Sequence, residues 1–209
     1  MIISFLGDSI TMGVGASQPE KCYVSLVGKT LDCTVLNYGM SGTRIARRKQ
    51  MYNHTADIDF GLRVPLIEKN SDLVFVFGGT NDYGHGDASL GDFNGKDVYT
   101  FNGALRSLID SLIEKFGKEK IRFIIPCHRY NENNKAPYLE EVLTLKDFVD
   151  AEIKMLKEYQ IPYLDLYNDW VGEPATNLDE GCFIDGLHPN DFGHESIAEK
   201  VCKFIKQNP

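Results

Sequence analysis

At 209 residues, 43% hydrophobic and 25% charged, the chain has the length of one domain over residues 1–209 and the make-up of a globular protein, which excludes disordered, collagen-like and coiled-coil readings. Twenty-two basic residues against thirty acidic ones leave a net charge of −8, a sign that repels phosphate backbones and argues against a dedicated nucleic-acid binder.

Short apolar runs alternate with longer helical patterns along the chain. Residues 2–6 form the first apolar run and lead into Gly7-Asp8-Ser9. Residues 23–31 read as a helix. Residues 33–38 are β-rich and lead into Gly39-Met40-Ser41-Gly42. Residues 43–69 are less regular, with Arg44, Arg47, Arg48 and Lys49 clustered, and read as a partly helical excursion. Residues 72–77 are nearly all apolar and end in Gly78-Gly79-Thr80-Asn81-Asp82. Residues 102–116 place Leu105, Leu108, Ile109, Leu112 and Ile113 at the spacing of an amphipathic helix, with Gly117 as its stop. Residues 121–126 make a fourth apolar run, followed by Cys127-His128-Arg129. Residues 145–159 form a helix with Phe148, Val149, Ile153 and Leu156 on one stripe, residues 161–166 a fifth strand, and residues 191–205 a closing helix. Continuous apolar runs suggest strands covered on both faces, so the alternation reads as βαβ units building a parallel α/β sheet.

Ligands of such open sheets bind beyond the carboxyl ends of the strands. The residues after the apolar runs are therefore the candidates, and five polar or glycine-rich tips converging on one edge argue for a site. Ser9 is first: it is either the N-cap of the next helix or a nucleophile, and the second role needs a base and an orienting acid. Asp185-Gly186-Leu187-His188 supplies both in one turn, with the carboxylate placed to meet one ring nitrogen while the other points away. A surface histidine bonded to a neighbouring acid is the plainer alternative. Gly39 and Asn81 offer a bare backbone N–H and a fixed neutral amide for a developing oxyanion, although Asn81 also suits a turn or helix cap. Asp8 is expected to organise the turn. His128 and Arg129 are expected to face the pocket and read the substrate, and the Tyr83-Gly84-His85-Gly86-Asp87 loop to wall it.

Gly7-Asp8-Ser9-Ile10-Thr11, Asn37-Tyr38-Gly39-Met40-Ser41-Gly42, Gly79-Thr80-Asn81-Asp82 and Asp185-Gly186-Leu187-His188-Pro189, in that order across the chain, resemble the four blocks of the SGNH hydrolases, the GDSL-type esterase/lipase family. The resemblance implies a three-layer α/β/α sandwich, flavodoxin-like, with about five parallel strands. It implies metal-free ester hydrolysis without a cofactor, with Ser9 as nucleophile, Asp185 and His188 as acid and base, and Ser9, Gly39 and Asn81 as the oxyanion hole. A GxSxG elbow is absent, which separates the chain from the larger α/β-hydrolase family.

The expected substrate is a small-molecule ester, first among them a short acyl ester such as an acetylated carbohydrate. Lysophospholipid or thioester cleavage, and acyl transfer to an acceptor other than water, are the alternatives within the family. A different class is a flavodoxin-like nucleotide or phosphate binder, for which Gly13-Val14-Gly15 is half a GxGxxG fragment. A metal site built from His85, Asp87, Asp185, His188 and His194 matches no standard zinc spacing. The five cysteines, at 22, 33, 127, 182 and 202, form no CxxC pair and suit a reducing compartment. With no basic leader and no apolar run of spanning length, the expected location is the cytoplasm, with no membrane span. The oligomeric state is not legible, and Trp170 is read as core.

Overall fold

The computed structural model describes residues 1–49, 55–169 and 181–208, so Trp170 lies outside the described residues. Five parallel strands form one sheet in the order β2-β1-β3-β4-β5. They are β1 (Ile2–Gly7), β2 (Thr34–Gly39), β3 (Leu73–Phe77), β4 (Ile121–Ile125) and β5 (Tyr163–Asp165). The longer helices are α2 (Tyr23–Leu31), α5 (Phe101–Phe116), α6 (Leu145–Tyr159) and α8 (Asp191–Gln207). Four short ones stand at strand tips or in loops: α1 (Ser9–Met12), α3 (Phe60–Arg63), α4 (Thr80–His85) and α7 (Leu166–Asp169).

The sheet is buried on both sides, which is why its strands read as unbroken apolar runs. In β3, Leu73, Phe75 and Phe77 join the core formed with Tyr23, Val24 and Val27 of α2 and Ile197, Val201 and Ile205 of α8. The alternate residues Val74 and Val76 join the opposite core, with Leu105, Leu108, Ile109 and Leu112 of α5 and Phe148, Val149 and Leu156 of α6. The result is the expected three-layer α/β/α sandwich.

Local chemistry sets the element ends. Thr100 caps α5 by accepting from the Gly103 N–H, and Gly117 stops it at φ 83°. Thr144 and Asp147 close a capping box on α6. β5 is shorter than the run 161–166 because Pro162 has no N–H for the ladder and α7 begins at Leu166. The irregular excursion holds α3 and 3-10 turns at Thr55–Asp57 and Val64–Leu66. Its basic cluster is tied down: Arg47 pairs with Asp59 at 2.7 Å, Arg48 with Asp57 at 3.3 Å, and the Lys49 N–H donates to Asp87. Among the described residues no helix is long and apolar enough to cross a membrane.

The strand order reverses direction between β1 and β3, since the chain moves from β1 outward to β2 and then returns to β3 on the other side. In open α/β sheets that switch point, outside the carboxyl ends of the strands, is where ligands bind. Ser9 follows β1 and Asn81 follows β3.

Candidate active site

Asp8, not Ser9, caps α1: its Oδ1 accepts the Ile10 N–H at 2.9 Å. That leaves Ser9 as the first residue of the helix, with its hydroxyl free for another partner and its N–H among the donors that a helix start leaves without an internal acceptor. The turn is tight. A side chain at Gly7 would collide with Thr11 and stand 3.0 Å from the Phe77 carbonyl. Asp8 is buried, and burial pushes its carboxyl up to about 6 against the opposing pull of the Ile10 N–H, His188 and Arg63.

His188 Nε2 lies 3.0 Å from Ser9 Oγ, and His188 Nδ1 lies 2.7 Å from Asp185 Oδ2. With Nδ1–H donating to the carboxylate, Nε2 is the acceptor facing the serine hydroxyl. The other carboxylate oxygen of Asp185 accepts the N–H groups of His188 at 2.7 Å and Leu187 at 3.0 Å. Burial acts to raise the Asp185 pKa, but these hydrogen bonds outweigh it and hold the carboxyl below its ordinary range. The loop is fixed at both ends. Phe183 bridges Pro189, and the Ile184 N–H donates to the His188 carbonyl. Asn190 caps α8, while Asp191 accepts from the N–H and hydroxyl of Ser17, each at 2.7 Å. Gly15, at φ 97°, runs against the Pro189 carbonyl where no side chain fits.

The expected oxyanion donors have unequal freedom. One N–H of the Asn81 amide donates to the Thr43 carbonyl at 3.0 Å, which orients the group and leaves its second proton. The Gly39 N–H donates to Asn37 Oδ1 at 2.8 Å, so it can serve a ligand only by sharing or giving up that bond. Gly39 must be glycine for a separate reason: a side chain there would stand 2.5 Å from the Met12 Cα, against the backbone of α1.

The residues expected to read the substrate divide. His128 is half-buried, its Nδ1 2.8 Å from both oxygens of Glu132 and its ring 4.2 Å from that of Tyr167. Arg129 does not present a free guanidinium to the pocket as expected. It is 6% exposed, and its Nη1 donates to the carbonyl and the hydroxyl of Thr80 at 3.0 and 3.3 Å. His85 is half-buried beside Arg44 and Arg48, and burial first, then those cations, pull it down to about 4, which keeps it neutral at pH 7.

The alternative readings lose their residues to internal structure. Gly13 is the left-handed cap of α1 and Gly15 meets Pro189, which accounts for the Gly13-Val14-Gly15 fragment. His194 is enclosed between α2 and α8, with Nδ1 accepting the Tyr23 N–H and Nε2 donating to the Val14 carbonyl, each at 3.3 Å. Among the described residues no three His, Cys, Asp or Glu side chains are placed to hold a metal ion.

Three residues to which the sequence assigned no role, Arg63 and Asp82 buried and Asn37 exposed on β2, brace the site. Arg63 donates to the Tyr38 and Gly7 carbonyls and to Thr43 Oγ1 at 2.6, 3.0 and 2.8 Å, tying the tips of β1 and β2 to the segment that orients Asn81. Asp82 accepts the N–H groups of Ile45 and Ala46 at 3.0 and 2.8 Å, and burial raises it to about 7. Asn37 donates to the Thr11 carbonyl at 2.7 Å and so joins β2 to α1.

Residues 5–195 match the GDSL-like Lipase/Acylhydrolase family. A GDSL esterase/lipase from Arabidopsis thaliana is 27% identical over 78 residues, a stretch that covers 35% of this chain and only 30% of the plant protein. The crystal structure of a Lactobacillus plantarum protein, 29% identical, superposes with a TM-score of 0.81 over 99% of this chain and 97% of that one. The lipase/acylhydrolase from Enterococcus faecalis, 24% identical, shares the fold with a TM-score of 0.68 over 99% and 95% of the two chains. Matched over most of its length and carrying the four blocks at one sheet edge, the chain belongs to the GDSL-like lipase/acylhydrolase family.

Proposed function

We propose that the protein is a serine esterase that hydrolyses short-chain carboxylic esters, acetyl esters first, of a small molecule or carbohydrate through an acyl-serine intermediate. The observation that carries the reading is the unbroken relay from Ser9 Oγ to His188 at 3.0 Å and from His188 to Asp185 at 2.7 Å.

His188 Nε2 takes the Ser9 hydroxyl proton as Oγ bonds to the ester carbonyl carbon. Asp185 holds the ring and stabilises the imidazolium. The carbonyl π electrons move onto oxygen, and the resulting oxyanion is held by the Ser9 N–H and the second Asn81 amide proton, with Gly39 N–H joining when it is shared with Asn37. Collapse breaks the bond to the alcohol oxygen, which takes the proton from His188 Nε2. Water then loses a proton to the same nitrogen as it attacks the acyl carbon. The second collapse breaks the bond to Ser9 Oγ, which is reprotonated, and the acid leaves. Asp8 stays outside the proton path, as the cap that sets the serine.

A short acyl group suits a sheet edge that carries polar side chains, Asn81 and His128 among them. A hydroxyl-bearing alcohol fits His128: with Nδ1 held on Glu132, its Nε2 is left for a hydrogen bond to a ligand at the tip of β4. The test is hydrolysis of p-nitrophenyl acetate, butyrate and octanoate by the wild type and Ser9→Ala. Turnover greatest on acetate, and lower by at least about 10³-fold in the variant, is expected. A folded Ser9→Ala protein, free of contaminating esterase, that still turns over acetate overturns the mechanism. A preference for octanoate overturns the short-acyl assignment alone.

A further inference from the structure

Arg129 is a buried cation that none of the steps above uses. It follows β4 at the carboxyl edge of the sheet. Its Nη1 donates to the Thr80 carbonyl and hydroxyl and its Nε to Asn131 Oδ1 at 3.0 Å. The guanidinium carbon lies 5.3 and 5.7 Å from the ring centres of Tyr83 and Tyr130. Among the described residues no carboxylate stands within ion-pair distance of it, although Arg47, Arg48 and Arg106 each have one. A buried charge without a counter-ion is costly, and such a charge is retained where its field or its geometry is used.

Both its geometry and its field fall on one turn. Thr80 immediately precedes Asn81, so the fork fixes the backbone from which the amide projects. Helix α4 is cut to fit the cation. A side chain at Gly84 would collide with Nη1 and stand 3.1 Å from Cζ, in the last turn of α4 at a position without the positive φ that would call for glycine. The next residue reaches the other half of the site, since the Tyr130 N–H donates to the Gly186 carbonyl at 2.9 Å, between Asp185 and His188.

We infer that Arg129 is a positioning residue for the oxyanion: fixed on Thr80, it holds the Asn81 amide in place and sets a cation at that turn, its guanidinium paired with no carboxylate although Glu132 accepts its backbone N–H. The inference rests on the serine-esterase reading. It also replaces the expectation that this arginine reads the substrate, because a group turned onto Thr80 acts on the transition state rather than on the bound ester.

The test compares wild type, Arg129→Met, Arg129→Lys and Gly84→Ala on p-nitrophenyl acetate. It adds inhibition by methylboronic acid, whose tetrahedral serine adduct is anionic like the reacting centre. Loss of a direct oxyanion donor costs about 10²–10³ in kcat, and an indirect one is expected to cost about tenfold to a hundredfold. Arg129→Met should therefore lose that factor in kcat and in boronate affinity, with KM within about twofold, a split that marks transition-state stabilisation. Arg129→Lys, which restores the charge, should recover part of both. Gly84→Ala should lower kcat by displacing the guanidinium, but should add nothing in the Arg129→Met background.

A folded Arg129→Met enzyme with wild-type kcat and boronate affinity overturns the inference. So does a rise in KM alone, which would return Arg129 to substrate binding. Equal losses from Gly84→Ala in the two backgrounds overturn it as well. Should Arg129→Met not fold, Arg129→Lys and Gly84→Ala decide, because both keep a cation: wild-type kcat and boronate affinity in the pair refute it. Activity surviving in Ser9→Ala would bring down the esterase mechanism itself, whereas an inactive Ser9→Ala beside an unimpaired Arg129→Met would bring down only this inference.

Discussion

Glu152→Gln is expected to remove a loss of stability that the wild type suffers as the pH rises. Glu152 lies on the inner face of α6 with 0% exposure, and neither carboxyl oxygen has a hydrogen-bond partner. Its Oε2 stands 3.2 Å from where a Gly79 side chain would begin. Burial, then the negative charges of Asp82 and Asp165, raise its pKa well above the ordinary glutamate value, so the folded protein holds the proton. The unfolded chain releases it above about pH 4.3. A raised carboxyl contributes stability that is complete below the unfolded pKa and is lost as the pH rises toward the folded one. Each pH unit in that window costs about 1.4 kcal/mol for the one proton, or about 2.7 kcal/mol between pH 6 and pH 8 while the folded protein keeps it. For a chain of this size that is a melting shift of about 5–10 °C. Asp8 and Asp82, raised to about 6 and about 7, add losses of the same sign in both proteins, so the difference between variant and wild type isolates Glu152. The assay is calorimetric Tm at pH 5, 6, 7 and 8. The variant should gain on the wild type as the pH rises, by up to about 5–10 °C from pH 6 to pH 8. A difference that stays flat with pH would show that Glu152 is ionised in the folded protein and refute the reasoning.

Two further substitutions test the site's parts. Asp185→Asn removes the acceptor for the His188 ring while keeping the shape of the loop, and kcat on p-nitrophenyl acetate should fall by about 10³–10⁴-fold with Tm little changed; a fall of less than about tenfold would contradict the relay. Gly39→Ala drives a methyl group to 2.5 Å from the Met12 Cα, where the contacting atoms are backbone and cannot turn aside, so a destabilisation of about 1–3 kcal/mol or more is expected by thermal melting, together with lower turnover because α1 carries Ser9; an unchanged Tm would refute the close approach.

Legibility followed the range of the physics. α2 and α6 begin and end where the periodicity places them, at Tyr23–Leu31 and Leu145–Tyr159, because each is long enough to show a stripe and has a local stop. The helices α1, α3, α4 and α7 have 4, 4, 6 and 4 residues, too short for a period to appear. Ser9 and the Asp185–His188 turn were legible because their geometry is set by neighbours in sequence. Arg63 was not, since its acceptors Gly7, Tyr38 and Thr43 lie 56, 25 and 20 residues away. Arg129 was placed at the correct edge but turned the wrong way, because Thr80, its acceptor, is 49 residues distant. Glu152 did carry a signal: it falls on the stripe of Leu145, Phe148, Val149 and Leu156, where a glutamate breaks the apolar pattern.

Several breaches of ordinary packing meet around one turn, and that pattern bears on what the turn is for. Gly79 enters α4 at φ 102°, a conformation that only glycine adopts without strain. Glu152 presses on it with no partner, Arg129 holds the next residue with no counter-ion, and Asp82 occupies two N–H groups of the neighbouring segment. Arg63, beneath the adjoining tips, leaves its Nε unpartnered. An apolar core would be cheaper at each of these positions. Sequences that otherwise satisfy every local rule, with capped helices and fully apolar strands, tend to break those rules where a fixed electrostatic arrangement is needed. The side chain presented by this turn is Asn81, whose amide keeps one proton on Thr43 and has a second, the one that the proposed oxyanion would take. The cost is borne by the groups that hold the donor rather than by the donor itself. Preorganisation of an oxyanion site requires that division: dipoles fixed before the charge develops, with the free energy of fixing them already spent in folding.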